Sequence, residues 1–237
     1  MAAEREPQAT GRGFFVTGTD TGVGKTLVSC ALLTACAERG MKAVGMKPIA
    51  AGAEQSGGHW RNDDVIALRA AGNVDAPAEE INPYCFAPAI APHLAATEAG
   101  VVIDHAVVAR SYAALTVRAD VVVVEGAGGL LVPLAPCYDM AELGKRLDLP
   151  VILVVGMRLG CLNHALLSAA AIHARGLRFA GWVANHVDPD MPRAEENART
   201  LEAALPAPLL GRVPHGASIA AAASFLHIGT LLASIVR

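Results

Sequence analysis

Eight consecutive residues, Thr19-Asp20-Thr21-Gly22-Val23-Gly24-Lys25-Thr26, combine glycines, hydroxyls and a lysine between an apolar run, Phe14–Thr17, and an amphipathic stretch ending at Gly40. A strand, a glycine-rich turn and a helix N-terminus in that order aim several backbone N–H groups at one point, and the helix dipole adds partial positive charge there. This is a phosphate cradle. Lys25 is placed to neutralise β- and γ-phosphate oxygens, and the Thr26 hydroxyl to ligate Mg²⁺. The strict motif wants glycine at position 19, where this chain has Thr19, with Gly18 one place earlier. Chance helix capping is the plainer reading of Gly-Lys-Thr, but the strand, loop and helix context favours the cradle.

Further chemistry collects behind the other apolar runs. In open α/β sheets ligands bind beyond the carboxyl ends of the strands, so the residues following each run are the ones to inspect. Ala43–Met46 is followed by Lys47-Pro48, Val121–Val124 by Glu125-Gly126-Ala127-Gly128-Gly129, Val151–Val155 by Gly156, and Gly181–Ala184 by Asn185-His186. Pro48 forces Lys47 out of the helical region, ending its strand with an ammonium at the ligand edge. Glu125 stands where a phosphate-loop enzyme holds its metal-binding acid, and the glycines behind it admit close approach of backbone to phosphate. Asp64 has two readings, a third metal ligand beside Thr26 and Glu125 or a helix cap before Val65-Ile66-Ala67-Leu68. Cys161 and His164 lie three apart but lack the further ligands a zinc site needs.

The elements that must position these residues follow from periodicity. The runs named above, with a weaker one at Leu209–Val213, are nearly continuous in apolar residues, as strands buried on both faces are. Helical spacing marks Thr26–Arg39, Asp104–Arg118, Met140–Leu147, Asn163–Arg175 and Arg193–Ala204, with Gly40 and Gly176 at C-terminal cap positions. Alternating strand and helix predicts an α/β fold: a doubly wound, mostly parallel sheet of the P-loop NTPase type in a single domain spanning 13–237. The stretch from Ile49 to Gly100, interrupted by glycines and prolines, is expected to be a mostly irregular excursion over the active face.

Composition narrows the partners. At 237 residues the chain suits one α/β domain. Net charge is -3 with scattered Lys and Arg, so there is no electrostatic footprint for nucleic acid. Mean hydropathy of +0.40 reflects Ala and Val in a buried sheet, because the apolar runs are too short to span a membrane. Residues 1–12 lack a signal peptide's apolar segment and are expected to form a loose tail. Five widely spaced cysteines, an odd number, suit buried reduced thiols and a cytoplasmic setting.

The ordered set Gly18–Thr26, Lys47-Pro48, Val124–Gly129, Leu159–His164 and Gly181–Asn185 resembles the dethiobiotin synthetases, which act in biotin synthesis, over about Phe14 to Pro214. The resemblance implies an ATP- and Mg²⁺-dependent ligase that closes a cyclic urea on 7,8-diaminopelargonate, a diamine carboxylate, with CO₂ or bicarbonate. One amine becomes a carbamate, ATP phosphorylates it, and the second amine displaces phosphate. By matched position it makes Lys47 and Lys25 catalytic. Thr21, Gly22, Val23, Gly24, Lys25, Thr26 and Leu27 become nucleotide contacts, with Glu125, Gly126, Ala127 and Gly128, and Asp64 with them. Asn185, His186, Pro214, His215 and Gly216 form the adenine side, and Thr26, Asp64 and Glu125 the Mg²⁺ site. Lys47, Ala51, Gly128, Gly160, Cys161, Leu162 and Asn163 contact the substrate, the last four holding its carboxylate across a homodimer interface. Three positions depart from the family pattern. Ala51 replaces a serine that touches substrate in several members, Gly22 stands where some carry an acid, and no acidic residue follows Pro214.

Two other classes compete. A dimerising phosphate-loop switch ATPase carries a signature lysine five residues before the loop lysine, where this chain has Asp20, and the stretch Ile219–Arg237 holds a single cation, Arg237. An amide-forming ligase of the cobyrinate synthase type needs an ammonia source, for which the chain has no length left.

Overall fold

The computed structural model describes residues 13–233; the expected N-terminal tail, 1–12, and residues 234–237 lie outside the described residues. Strands β1 (Gly13–Gly18), β2 (Ala43–Met46), β3 (Val121–Gly129), β4 (Val151–Gly156), β5 (Phe179–Asn185) and β6 (Leu209–Val213) form one sheet. Its order is β6-β5-β4-β1-β3-β2, and every neighbouring pair is parallel. All their carboxyl ends therefore lie along one edge.

Helices α1 (Lys25–Ala37) and α2 (Asp63–Ala71) cover one face. Helices α3 (His105–Arg118), α4 (Met140–Arg146), α5 (Cys161–Ala174) and α6 (Ala194–Ala204) cover the other, and α7 (Ile219–Ser224) returns to the first. Successive strand residues feed alternate layers: Phe15, Val122, Val124 and Leu153 face α3–α6, whereas Phe14, Val16, Val123 and Val154 face α1, α2 and α7. Covering both faces is what makes these strands read as unbroken apolar runs. Among the described residues no helix is long and apolar enough to cross a membrane. All five cysteines are free; Cys30, Cys36 and Cys161 are buried as expected, whereas Cys137 is exposed and Cys85 half-buried.

Two expectations need correction. The excursion from Ile49 to Gly100 is not mostly irregular: it contains α2, paired parallel strands Ile49–Ala51 and Tyr84–Phe86, a hairpin of Glu54–Ser56 with His59–Arg61, and a helix Pro92–Glu98. Breakers serve there as starts. Asn62 caps α2 by accepting from the N–H groups of Asp64 and Val65, acidic side chains fill the first turn, and Pro92 opens its helix at a position where no N–H is needed. Similarly, β3 continues past Val124 to Gly129, its register against β1 shifting between Val16 and Gly18, so Glu125 ends the apolar run without ending the strand. The other strand boundaries hold to within two residues. Helices α1 and α5 close as Gly40 and Gly176 require, with Met41 N donating to Cys36 O and Leu177 N to Ile172 O. Helix α5 begins two residues early, at Cys161.

Strand β6 packs against the chain leaving α7 with no room to spare. A Cβ on Gly211 would lie 2.3 Å from the Phe225 carbonyl oxygen, a backbone atom that cannot swing aside. Gly211→Ala should therefore destabilise the fold by about 1–3 kcal/mol, the range of overpacked cores. Urea unfolding would show a lower midpoint at unchanged slope; an unchanged midpoint would mean this contact is not made.

Candidate active site

The doubly wound layout creates a crevice where neighbouring strands send their chains to opposite faces. Here these are β1, which feeds α1, and β3, which leads to α4. From β1 the chain turns through Thr19–Gly24 and enters α1 at Lys25. Gly24 sits at φ 83°, and a Cβ there would fall 2.1 Å from Asn185 Nδ2, so backbone conformation and space both demand glycine. That same Nδ2 donates to the Val23 carbonyl at 2.9 Å, tying the loop to the end of β5. Asp20 closes the other side: Oδ1 accepts from Thr21 N, Oδ2 accepts from Arg158, both at 2.7 Å, and its carbonyl accepts from Lys25 Nζ at 3.0 Å.

The charged centre joins four elements. Lys47, at the end of β2 and 4% exposed, places Nζ 2.6 Å from Glu125 Oε1, 2.9 Å from Asp64 Oδ2 and 3.3 Å from the Gly126 carbonyl. Thr26 Oγ1 lies 2.7 Å from Asp64 Oδ1 and 3.0 Å from Glu125 Oε1, donating to one at a time. Glu125 is wholly buried, and its Oε2 has no hydrogen-bond partner among the described residues. Asn62, not Asp64, caps α2, and the Asp64 carboxylate reaches Thr26 and Lys47 instead.

The titration of these groups follows. Burial alone would lower the Lys47 pKa, but Glu125 and Asp64 outweigh it and hold the ammonium charged above its ordinary range. Burial raises the Asp64 carboxyl, yet Lys47, Thr26 and Lys25 more than reverse this and keep it ionised. Lys25 goes the other way. Burial first and repulsion by Lys47 second lower it from 10.5 to about 8, against the pull of Glu125, Asp64 and Asp20.

These side chains border a cavity of about 780 Å³. From the loop it takes Thr21, Gly22, Gly24, Lys25 and Thr26; from the strand ends and α2, Lys47, Ala51, Asp64, Glu125, Ala127 and Gly128. Its outer wall is apolar: Ala89, Ile90, Ala91, Pro92 and Val132. Sequence reasoning missed that wall, whose only signal is the proline pair flanking a small-residue stretch beside a strand.

The remaining predicted residues lie elsewhere. Val23 is buried against Gly156 and Leu27 packs on the α1 side of the core. Gly126 reaches Lys47 only through its carbonyl. His186, Pro214 and His215 border a separate cavity of about 380 Å³ with Asp188, Met191 and Arg212, and His215 Nδ1 lies 3.2 Å from the His186 carbonyl. Asn185 itself is buried beneath the loop with one amide donor engaged by Val23, and Gly216 lines neither cavity. Gly160–Asn163 forms the start of α5 outside the Lys47 cavity, with Leu159 before it 94% exposed.

A family model described as an AAA domain matches residues 12–223. The chain is 53% identical to the ATP-dependent dethiobiotin synthetase BioD of Aromatoleum aromaticum, covering 92% of this chain and 97% of that one. It is 54% identical to the protein of the same name from Nitrosospira multiformis, over 86% and 89% of the two chains. Among solved structures it resembles the MinC:MinD cell division protein complex of Aquifex aeolicus, with a TM-score of 0.57 at 15% identity over 91% of this chain and 87% of the other. That last likeness extends to the fold alone.

Gly24→Ala should weaken ATP binding at least tenfold, since left-handed backbone costs a non-glycine residue roughly 1–2 kcal/mol before the clash with Asn185 is counted. Titration calorimetry with ATP would measure it, and wild-type affinity would show that the loop does not hold phosphate in this conformation.

Proposed function

The chain belongs to the dethiobiotin synthetase family, and from that premise we propose how its residues divide the work of forming dethiobiotin, a C–N bond-forming ligation driven by ATP. The observation that carries the assignment is the buried meeting of Lys47, Glu125, Asp64 and Thr26 at the floor of the cavity bordered by the phosphate loop. The reaction brings together two anions, the γ-phosphate of ATP and a carbamate on 7,8-diaminopelargonate. Fixed positive charge in a water-poor site is what such an encounter requires. Lys25 supplies it from the loop and Lys47 from the β2 edge. The apolar wall of Ala89–Pro92 and Val132 faces the alkyl chain of the diamine and limits access of water to the mixed anhydride.

Thr26, Asp64 and Glu125 suit Mg²⁺, a hard cation bound through one or two carboxylates together with substrate phosphates. The unpartnered, buried Oε2 of Glu125 supports that assignment, because an isolated buried carboxylate oxygen is costly unless a cation or donor meets it. Bound there, Mg²⁺ would supply charge neutralisation to the β- and γ-phosphates. The loop backbone and Glu125–Gly128 face the phosphates. The second cavity, with His186, Pro214 and His215, takes the base, and Asn185 holds the loop between the two cavities.

A homodimer completes the reading. Leu159 before α5, Leu167 on it and Leu131 beside Leu167 are 94, 61 and 52% exposed, and such side chains favour burial against a second copy. The N-terminus of α5 at Gly160–Asn163, where the Cys161 N–H already donates to the Arg158 carbonyl, would then face the carboxylate of substrate held by the partner. The free thiols are consistent with work in the cytoplasm.

The decisive assay follows ADP release with MgATP and bicarbonate, with and without 7,8-diaminopelargonate, and identifies the cyclic urea by mass. Release that requires the diamine and matches dethiobiotin formed is expected; diamine-independent hydrolysis alone would return the chain to the switch ATPases. Lys47→Gln, which keeps a donor toward Glu125 but removes the charge, should lower kcat roughly 10²–10³-fold while ATP affinity changes little. Near-normal turnover would take Lys47 out of the mechanism.

Lys25 adds a pH dependence. Its folded-state pKa, about 8, lies below 10.5, so between those values the folded protein holds fewer protons than the unfolded one, and the Lys25 contribution to stability improves as pH rises through that window. Bound phosphate favours the ammonium and restores the proton. Calorimetry at about pH 8.5 in buffers of different ionisation enthalpy should show net proton uptake with ATP, absent in Lys25→Ala. Heats independent of buffer would contradict it.

A further inference from the structure

Lys47 leaves the sheet on its edge strand, since β2 has β3 on one side only. Beyond Met46, the segment Ile81–Tyr84 takes the place of a strand on the open side. Lys47 N donates to the Ile81 carbonyl at 2.9 Å and Tyr84 N to the Pro48 carbonyl at 3.2 Å, and from Ile49 onward the two stretches pair as parallel strands with Ile49 opposite Tyr84. In a parallel ladder the residue whose N–H donates to position j−1 has its own carbonyl met by the N–H of position j+1. For Lys47, bonded to Ile81, that donor belongs to residue 83, before the ladder changes phase at Pro48, whose own carbonyl accepts from Tyr84. Residue 83 is proline, which has none.

The Asn82 side chain fills the gap. Its Nδ2 lies 2.5 Å from the Lys47 carbonyl and 2.9 Å from the Tyr84 carbonyl, two acceptors that fix the amide with its nitrogen inward. With Pro48 unable to donate, every other backbone hydrogen-bonding group of Lys47-Pro48 is thereby held by Ile81–Tyr84.

We propose that Asn82 is a positioning residue for the ligation, a side-chain substitute for the missing ladder donor that fixes the Lys47 backbone and so the reach of its ammonium to Glu125 and Asp64. This rests on the reading of Lys47 as a charge-bearing group of the reaction. Asn82 touches no reacting atom in this scheme, and its loss acts through Lys47. Misplacement of a reacting group by an ångström costs up to about a hundredfold in rate.

Asn82→Ala should therefore lower kcat roughly 10–100-fold, with KM for ATP held within about twofold. Combining it with Pro83→Ala restores a backbone N–H at the required place and should recover most of the turnover, an effect that loss of general packing does not produce. In a Lys47→Gln background Asn82→Ala should add no further loss. Wild-type turnover in Asn82→Ala, a folded but equally slow Asn82→Ala/Pro83→Ala variant, or losses that multiply with Lys47→Gln would each overturn the proposal. Should Asn82→Ala alone fail to fold, the double variant decides: folded and active supports it, folded and slow refutes it. Turnover in Lys47→Gln near that of the wild type would instead remove the reading on which it stands.

Discussion

A carboxylate with no exposed surface must be neutralised where it stands, and Glu125 imposes that requirement on everything around it. A lone ionised carboxylate in such a place is unfavourable by many kcal/mol. Lys47 answers the charge at 2.6 Å, Thr26 offers a hydroxyl, and Asp64 shares both partners. Such a cluster is weak evidence for stability, because desolvation of the ions offsets most of their attraction. Its persistence is better explained by use. A site that fixes a cation, a hydroxyl and two acids in advance, with Lys47 and Glu125 buried, is suited to an anionic ligand before that ligand arrives.

The sheet explains how residues from four distant stretches can meet within 3 Å. Parallel strands share a polarity, so β1, β2 and β3 all deliver their carboxyl ends to one edge, and the crossing of chains to opposite faces between β1 and β3 leaves the opening there. Thr26 arrives just past the loop on α1, and Asp64 on α2, whose start is capped by Asn62. By taking the cap and donating to the Ala51 carbonyl, Asn62 joins the start of α2 to the wall of the cavity.

Much of this was legible in the chain because it rests on local signals. Four valines before Glu125 mark a central strand, Lys47-Pro48 marks a strand end, and the loop from Thr19 to Thr26 has a spacing few other structures require. What escaped notice depends on contacts distant in sequence. Nothing near Asn185 indicates that its amide supports the Val23 carbonyl, and nothing near Ile90 indicates that it lines the same cavity as Lys47. The stretch from Ile49 to Gly100 was misread for a related reason. Its elements are too short for periodicity to register, and their starts are set by Asn62 and Pro92, residues that breaker statistics count against structure.

The contact between Gly24 and Asn185 has a consequence for how such chains can diverge. With 2.1 Å between a would-be Cβ and the amide nitrogen, the two positions behave as one steric unit although 160 residues separate them. Shortening residue 185 would relieve the clash but not the left-handed backbone at 24, and it would leave the Val23 carbonyl without its donor. A library that randomises position 24 by itself will therefore recover mainly glycine, held there by a backbone conformation and by a side chain from the end of β5.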